Sequence, residues 1–87
     1  MTDDLILSRV HALITQMAGP DRTPDEAGPD TLLGDSGYGF DSLDMLEVIL
    51  ACEREFGVAF GAGDGLTADA LLSARRLADL LRTRIVL

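Results

Sequence analysis

The sequence predicts a small all-α domain, a four-helix bundle of three longer helices and one short one, with a long loop between helices one and two. The chain has 87 residues, of which 47% are hydrophobic and 25% charged, so it has room for one domain at most. Apolar residues recur at helical spacing, and the one short run that could be extended, 58–60, has no second run to pair with. We therefore expect residues 1–87 to form a single helical domain.

The first predicted helix runs from Leu5 to Met17. Its apolar residues share one helical face: Ile6, Val10, Leu13, Ile14 and Met17. The preceding Thr-Asp-Asp at residues 2–4 suits a helix N-terminus, because side-chain oxygens cap free amides and carboxylates meet the positive end of the dipole. Gly19-Pro20 ends this helix.

Residues 19–40 are predicted to form one long loop. They contain all three prolines and five of the nine glycines, and they show neither helical nor strand periodicity. Loops of this length are usually either functional or disordered. The second half of this loop contains four apolar residues that we expect to anchor it to the core: Leu32, Leu33, Tyr38 and Phe40.

The clearest predicted helix runs from Asp41, a suitable N-cap, to Gly57, a suitable residue to follow the last turn. A rotation of about 100° per residue separates its side chains into two stripes. The predicted inward stripe consists of Met45, Leu46, Ile49, Cys52 and Phe56. The predicted outward stripe consists of Leu43, Asp44, Glu47, Leu50, Ala51 and Arg54.

Two shorter helices are predicted near the C-terminus, after a glycine-rich turn at residues 61–65. Thr67 is expected to cap a short third helix that continues through Leu72. Ser73 is expected to cap a fourth helix, whose inward residues are Leu77, Leu80 and Leu81.

The charge balance bears on the class of partner. Fifteen acidic and seven basic residues give a formal net charge of −8, which repels nucleic acid and anionic membranes. A protein partner is expected to carry a basic patch, since opposite potentials speed encounter. The acidic N-terminus and the absence of a long apolar stretch predict a cytoplasmic protein, and we expect it to be monomeric.

The sequence contains few residues for catalysis or metal binding. A single Cys cannot form an intrachain disulfide. One Cys and one His together cannot provide the four Cys or His ligands of a structural zinc site. His11 lies in the middle of the first helix and is predicted to be a surface or edge residue, without a nucleophile and an orienting group to form a triad. We therefore expect a binding or carrier module rather than an enzyme.

Ser42 is the residue whose position suggests chemistry. It follows the long loop, adjoins Asp41 and begins the strongly amphipathic helix, so its hydroxyl is expected to be exposed. From the local pattern alone, a serine at this position more often serves only to cap the helix.

The wider sequence resembles the acyl carrier proteins. The resemblance rests on Gly39-Phe40-Asp41-Ser42-Leu43-Asp44 and on a helix that ends in Glu53-Arg54-Glu55-Phe56-Gly57, and it extends to size, acidity and the four-helix outline. It implies that a phosphopantetheinyl transferase attaches 4′-phosphopantetheine from coenzyme A to Ser42. The thiol of this arm would then hold an acyl group as a thioester and present it to loading and accepting enzymes.

The resemblance also implies a docking face and an acyl groove. The implied docking residues are Asp41, Leu43, Asp44, Glu47, Leu50 and Arg54. The residues implied to line a groove for part of the acyl chain are Met45, Leu46, Ile49, Cys52, Phe56, Leu77 and Leu80. Arg54 interrupts the acidic run of the resembled carriers, and Arg75-Arg76 place positive charge in the last helix. These departures favour a carrier for polyketide, lipopeptide or other secondary-metabolite biosynthesis over one for primary fatty acid synthesis.

Two other functions remain open at this point. A peptidyl or aminoacyl carrier shares the outline and the modified serine, although Phe40-Asp41 and Asp44 favour the acyl type. An acidic helical adaptor that binds a basic partner without modification would use Ser42 only as a cap.

Overall fold

A computed structural model of the chain describes residues 3–60 and 69–85, with residues 3 and 4 described by their backbone alone. Three helices follow in order: α1 (Asp3–Arg22), α2 (Ser42–Phe56) and α3 (Ala74–Arg82). Helix α1 packs against both α2 and α3. The described residues form no strand beyond an isolated bridge between Leu32 and Ser73, which confirms the all-α class for this part of the chain.

Helix α1 changes direction at Gly19, where the backbone leaves the helical region (φ 71°, ψ 175°). The regular helix therefore ends at the predicted Gly19-Pro20. The amide and the hydroxyl of Thr23 both donate to the Gly19 carbonyl, at 3.1 and 2.8 Å. The kink leaves Arg22 in the short segment that precedes the loop. The capping residues predicted at 2–4 lie outside the described side chains.

The loop between α1 and α2 is packed in its second half, as predicted. Leu33, Tyr38 and Phe40 are buried, whereas Leu32 is exposed. Two backbone hydrogen bonds close a bend in this segment, from Tyr38 N to Leu32 O at 3.0 Å and from Phe40 N to Leu33 O at 2.8 Å. These contacts fix the approach of the chain to the first turn of α2.

Helix α2 has the predicted bounds, with Asp41 as N-cap and Gly57 in the left-handed conformation at its C-terminus. The prediction that Leu46 lies on the inward stripe was wrong, because Leu46 is 50% exposed. Val48 is instead fully buried, together with Cys52. At about 100° per residue, Val48 lies about 60° from Met45 around the helix, on the side of Cys52, whereas Leu46 lies about 100° away on the other side. The buried stripe is therefore rotated towards Val48.

The described residues contain three helices and do not show the predicted four-helix bundle. Of the predicted short third helix, Thr67 lies outside the described residues and 69–72 form a turn. The carbonyl of Leu72 accepts from Leu33 N at 3.0 Å, so the turn is held against the loop instead of continuing as a helix. Ser73 caps α3 as predicted and accepts from Arg76 N at 3.3 Å.

The core lies between α1, α3, the buried face of α2 and the packed loop. It consists of Ile6, Val10, Ile14, Ala18, Leu33, Tyr38, Phe40, Val48, Cys52, Ala74, Leu77, Ala78 and Leu81. Leu77 and Leu81 of α3 are buried as predicted, and Leu80 is half-buried. No helix in the described part of the chain is both long and apolar enough to cross a membrane.

Candidate functional site

Ser42 is the first residue of α2, and it is exposed as predicted. Its hydroxyl has no hydrogen-bond partner among residues 3–60 and 69–85. The N-cap is its neighbour Asp41, so the hydroxyl is not used to cap the helix. This leaves the oxygen of Ser42 accessible for a reaction with an incoming group.

A capping box surrounds Ser42. The Asp41 carboxylate accepts from Asp44 N at 2.9 Å, and the Asp44 carboxylate accepts from Asp41 N at 3.0 Å. These bonds satisfy the amides on either side of the segment. The amides of Ser42 and Leu43 are in the first turn, where a helix offers its N–H groups no acceptor. They are suited to meet negative charge beside the hydroxyl.

Arg22 binds the same segment from the end of α1. Its Nη2 donates to Asp44 Oδ2 at 2.7 Å and to the Gly39 carbonyl at 3.0 Å. The guanidinium carbon lies 4.9 Å from the centre of the Phe40 ring, a cation–π contact. The hydrogen bond from Arg22, aided by the one from the Asp41 amide, lowers the pKa of Asp44 to about 2. The bond to Asp44 likewise raises the pKa of Arg22.

The buried aromatic pair beneath this segment supports it. The Tyr38 and Phe40 rings are 5.4 Å apart between their centres. Burial raises the pKa of the Tyr38 phenol, whose oxygen is enclosed without a hydrogen-bond partner among the described residues. Gly39, which lies between these two residues in the sequence, adopts φ 74°, which favours glycine. The left-handed conformation of Gly39 thus lets Tyr38 and Phe40 both pack in the core immediately before the exposed first turn of α2.

An apolar cavity of about 510 Å³ opens beside Ser42. Its lining residues are Gly34, Ser42, Met45, Leu46, Ile49, Leu71 and Leu72. Three of the predicted groove residues, Met45, Leu46 and Ile49, belong to this lining. Cys52 and Leu77 are instead fully buried in the core. Leu71 and Leu72 were missed because the sequence predicted them in a helix rather than in a turn that faces α2.

The outward face of α2 exposes three leucines. Leu43, Leu46 and Leu50 are 72%, 50% and 46% exposed. Glu47 and Arg54 are exposed on the same face. A second groove of about 390 Å³ separates this face from α1. Its lining residues are Leu13, Gln16, Met17, Glu47, Leu50, Ala51 and Arg54.

Several carboxylates of α2 are bound within the chain. Glu53 accepts from Phe60 N at 2.8 Å, and Glu55 pairs with Arg9 of α1 at 3.1 Å. Asp44 is held by Arg22, as described above. Among the predicted docking residues, Asp41 and Asp44 thus have local bonding roles. Sequence reasoning missed Arg22 and Arg9, because ion pairs between α1 and α2 depend on the packing of the two helices.

Cys52 and His11 occupy structural positions. Cys52 is buried as predicted, and burial, with a further contribution from Glu55, raises the pKa of its thiol to about 12. His11 is half-buried on α1, an edge position as predicted. Its Nε2 is enclosed and has no hydrogen-bond partner in the described ranges. In the same ranges, no group of three or more His, Cys, Asp or Glu could hold a metal ion.

Comparison with protein families matches residues 11–83 to the family described as phosphopantetheine attachment site. A comparison with curated proteins gave no match. The matched region contains α2, α3, most of α1 and the packed loop. Domains of this family are non-catalytic carriers that bear covalently bound 4′-phosphopantetheine and interact with biosynthetic enzymes. Because the match covers most of the chain, the protein belongs to the phosphopantetheine attachment site family and is a phosphopantetheine carrier.

Proposed function

We propose that the protein is an acyl carrier protein, a single carrier domain at residues 1–87 whose 4′-phosphopantetheine is attached to Ser42. The observation that carries the proposal is the exposed hydroxyl at the first turn of α2, within the region matched to the family. A phosphopantetheinyl transferase supplies the catalytic groups, so Ser42 needs no base of its own. Once attached, the group supplies a thiol that carries an acyl chain as a thioester.

The surroundings of Ser42 fit a phosphodiester. The first-turn amides of Ser42 and Leu43 and the helix dipole favour negative charge there. The carboxylate of Asp44 opposes it, but the ion pair with Arg22 at 2.7 Å balances that charge. The remaining repulsion from Asp41 acts at an exposed position, where solvent and salt screen it.

The apolar cavity supports an acyl cargo over an aminoacyl one. Apart from Ser42 and Gly34, its lining consists of aliphatic or methionine side chains. A hydrocarbon chain gains about 0.8 kcal/mol for each buried CH₂ group. A charged amino group would lose hydration in the same place. The groove expected from the resemblance is therefore proposed to be this cavity.

The outward face of α2 is proposed as the docking face for transferase, loading and accepting enzymes. Leu43 and Leu50 provide exposed apolar contacts, and Glu47 provides an exposed carboxylate. Arg54 adds a positive charge, so a partner that reads this face needs an acidic group as well as basic ones. This positive charge departs from the acidic run of the resembled carriers, which supports a carrier for a secondary pathway.

The first test is intact mass spectrometry after incubation with coenzyme A, magnesium and a broad-specificity phosphopantetheinyl transferase. A single gain equal to phosphopantetheine is expected for the native protein and for Ser36→Ala, a matched change at an exposed serine of the preceding loop. No gain is expected for Ser42→Ala. A folded native protein that gains no mass would contradict the attachment, and a gain in Ser42→Ala would assign it to another residue.

The second test concerns the cargo. Holo protein is offered a panel of fatty, polyketide-type and amino acyl donors with their loading enzymes. Acyl but not aminoacyl thioesters are expected by mass spectrometry. Loading of amino acids alone would establish a peptidyl carrier. Acceptance by fatty acid synthase enzymes alone would refute the secondary pathway.

A further inference from the structure

Arg22 makes three contacts with the short segment that precedes and begins α2. One nitrogen donates to the Gly39 carbonyl and to Asp44 Oδ2, and the guanidinium lies over the Phe40 ring. Residues 39–44 contain the serine that we propose as the attachment site. Arg22 itself lies 17 residues before Gly39 in the chain, so these contacts join the end of α1 to the attachment segment.

The contact with Asp44 has a specific consequence for Ser42. Asp44 Oδ2 accepts hydrogen bonds from Arg22 and from the Asp41 amide. The carboxylate that Arg22 holds is therefore the one that closes the capping box. Asp41 and Asp44 bracket Ser42 in the chain, so fixing that carboxylate fixes the backbone on both sides of the hydroxyl.

The kink at Gly19 makes this arrangement possible. With φ 71° and ψ 175°, Gly19 interrupts the helix three residues before Arg22. A side chain at Gly19 would favour a different backbone conformation, since φ in this range strains L residues. The hydroxyl and amide of Thr23 hold the kink through the Gly19 carbonyl. The kink at Gly19 and the hydrogen bonds from Thr23 thus stabilise the position from which Arg22 makes its contacts.

We propose that Arg22 is a positioning residue for Ser42, which keeps residues 39–44 in the conformation that a phosphopantetheinyl transferase accepts. This inference rests on the proposed attachment at Ser42. Without Arg22, the segment samples other conformations, and the transferase must select the competent fraction. Apparent affinity falls in proportion to that fraction, so KM for the apo protein rises while kcat at saturation stays the same.

The test compares Arg22→Ala, Arg22→Lys and Arg9→Ala as apo substrates. Arg9→Ala is a matched control, because the Arg9–Glu55 pair also joins α1 to α2 on the surface, at 3.1 Å. Steady-state holo formation by mass spectrometry gives kcat and KM. Arg22→Ala is expected to raise KM roughly tenfold, which corresponds to a competent fraction of roughly one tenth. Lysine keeps the charge and loses the planar stack on Phe40, so Arg22→Lys is expected to restore part of the loss.

Amide exchange by NMR gives an independent readout. The Asp41 amide is expected to exchange faster in Arg22→Ala than in the native protein or Arg9→Ala, at equal helix content by circular dichroism. An unchanged KM in Arg22→Ala, or an equal rise in Arg9→Ala, would overturn the positioning role while leaving the attachment intact. A native protein that is not modified at all would overturn the proposed function and this inference together.

Discussion

Replacement of Gly37 by alanine tests the bend that leads to Ser42. A Cβ at Gly37 would fall on the carbonyl oxygen of Leu32 and lie 2.8 Å from its carbonyl carbon. These are backbone atoms, which cannot turn aside as a flexible side chain can. The two segments of the bend must therefore move apart in Gly37→Ala.

The cost follows from the bonds across the bend. Separation breaks the two hydrogen bonds that close the bend, from Tyr38 N to Leu32 O at 3.0 Å and from Phe40 N to Leu33 O at 2.8 Å. Each is worth about 1 kcal/mol, and residual overpacking adds roughly 1–3 kcal/mol. Alanine recovers about 0.4–1 kcal/mol by restricting the unfolded chain. We expect Gly37→Ala to lower the free energy of unfolding by about 2–5 kcal/mol.

Urea unfolding followed by circular dichroism measures this loss. Gly28→Ala is the matched control, because a Cβ there meets no atom within 4 Å and the position needs no positive φ. The control is expected to be neutral or to stabilise by up to about 1 kcal/mol. Equal unfolding free energies for the two variants would refute the proposed steric role of Gly37.

Three further predictions concern α2. Val48→Ala should lower the free energy of unfolding in urea by about 1.5–3 kcal/mol, because Val48 is fully buried. Leu46→Ala should cost clearly less, because Leu46 is half exposed. A larger cost for Leu46→Ala would instead support the inward stripe that the sequence predicted. The Asp44 pKa of about 2 lies below its ordinary value of 3.8, so the carboxylate's stabilisation is complete above that value and lost as the pH falls towards 2. The stability difference between native protein and Asp44→Asn should therefore shrink in acid, and a difference that persisted at the lowest pH would contradict the ion pair's contribution. The Cys52 thiol, with its pKa raised to about 12, should resist iodoacetamide at neutral pH until urea unfolds the chain, as mass spectrometry can follow; rapid alkylation of the folded protein would contradict its burial.

Local chemistry made much of this fold predictable. Gly19-Pro20, Asp41, Gly57 and Ser73 all end or begin helices as the sequence predicted. Each acts through its own backbone or through an amide within three or four residues, so no tertiary contact is needed to infer it. The position of Ser42 at an exposed first turn follows from the same local rules.

The errors arose where packing decides. Leu46 and Val48 are both apolar and lie on opposite sides of the predicted stripe, so only the neighbouring helix determines which is buried. Leu72 pairs with Leu33, a residue distant in sequence, and this bond replaces a predicted helix with a turn. The role of Arg22 was not predictable from the sequence either, because it depends on the kink at Gly19 that places the Arg22 side chain beside Asp44.

Ion pairs within the chain hold several carboxylates of α2, so the net acidity of the chain and the charges exposed for docking have different effects. The net charge of −8 acts over the whole molecule and speeds encounter with basic partners. On the proposed docking face, however, the exposed charges of Glu47 and Arg54 are opposite in sign, and the leucines Leu43 and Leu50 lie beside them. Rim charges mainly set association rates, whereas buried apolar contacts mainly set dissociation rates. Salt should therefore slow the approach of a partner more than it shortens the lifetime of the complex.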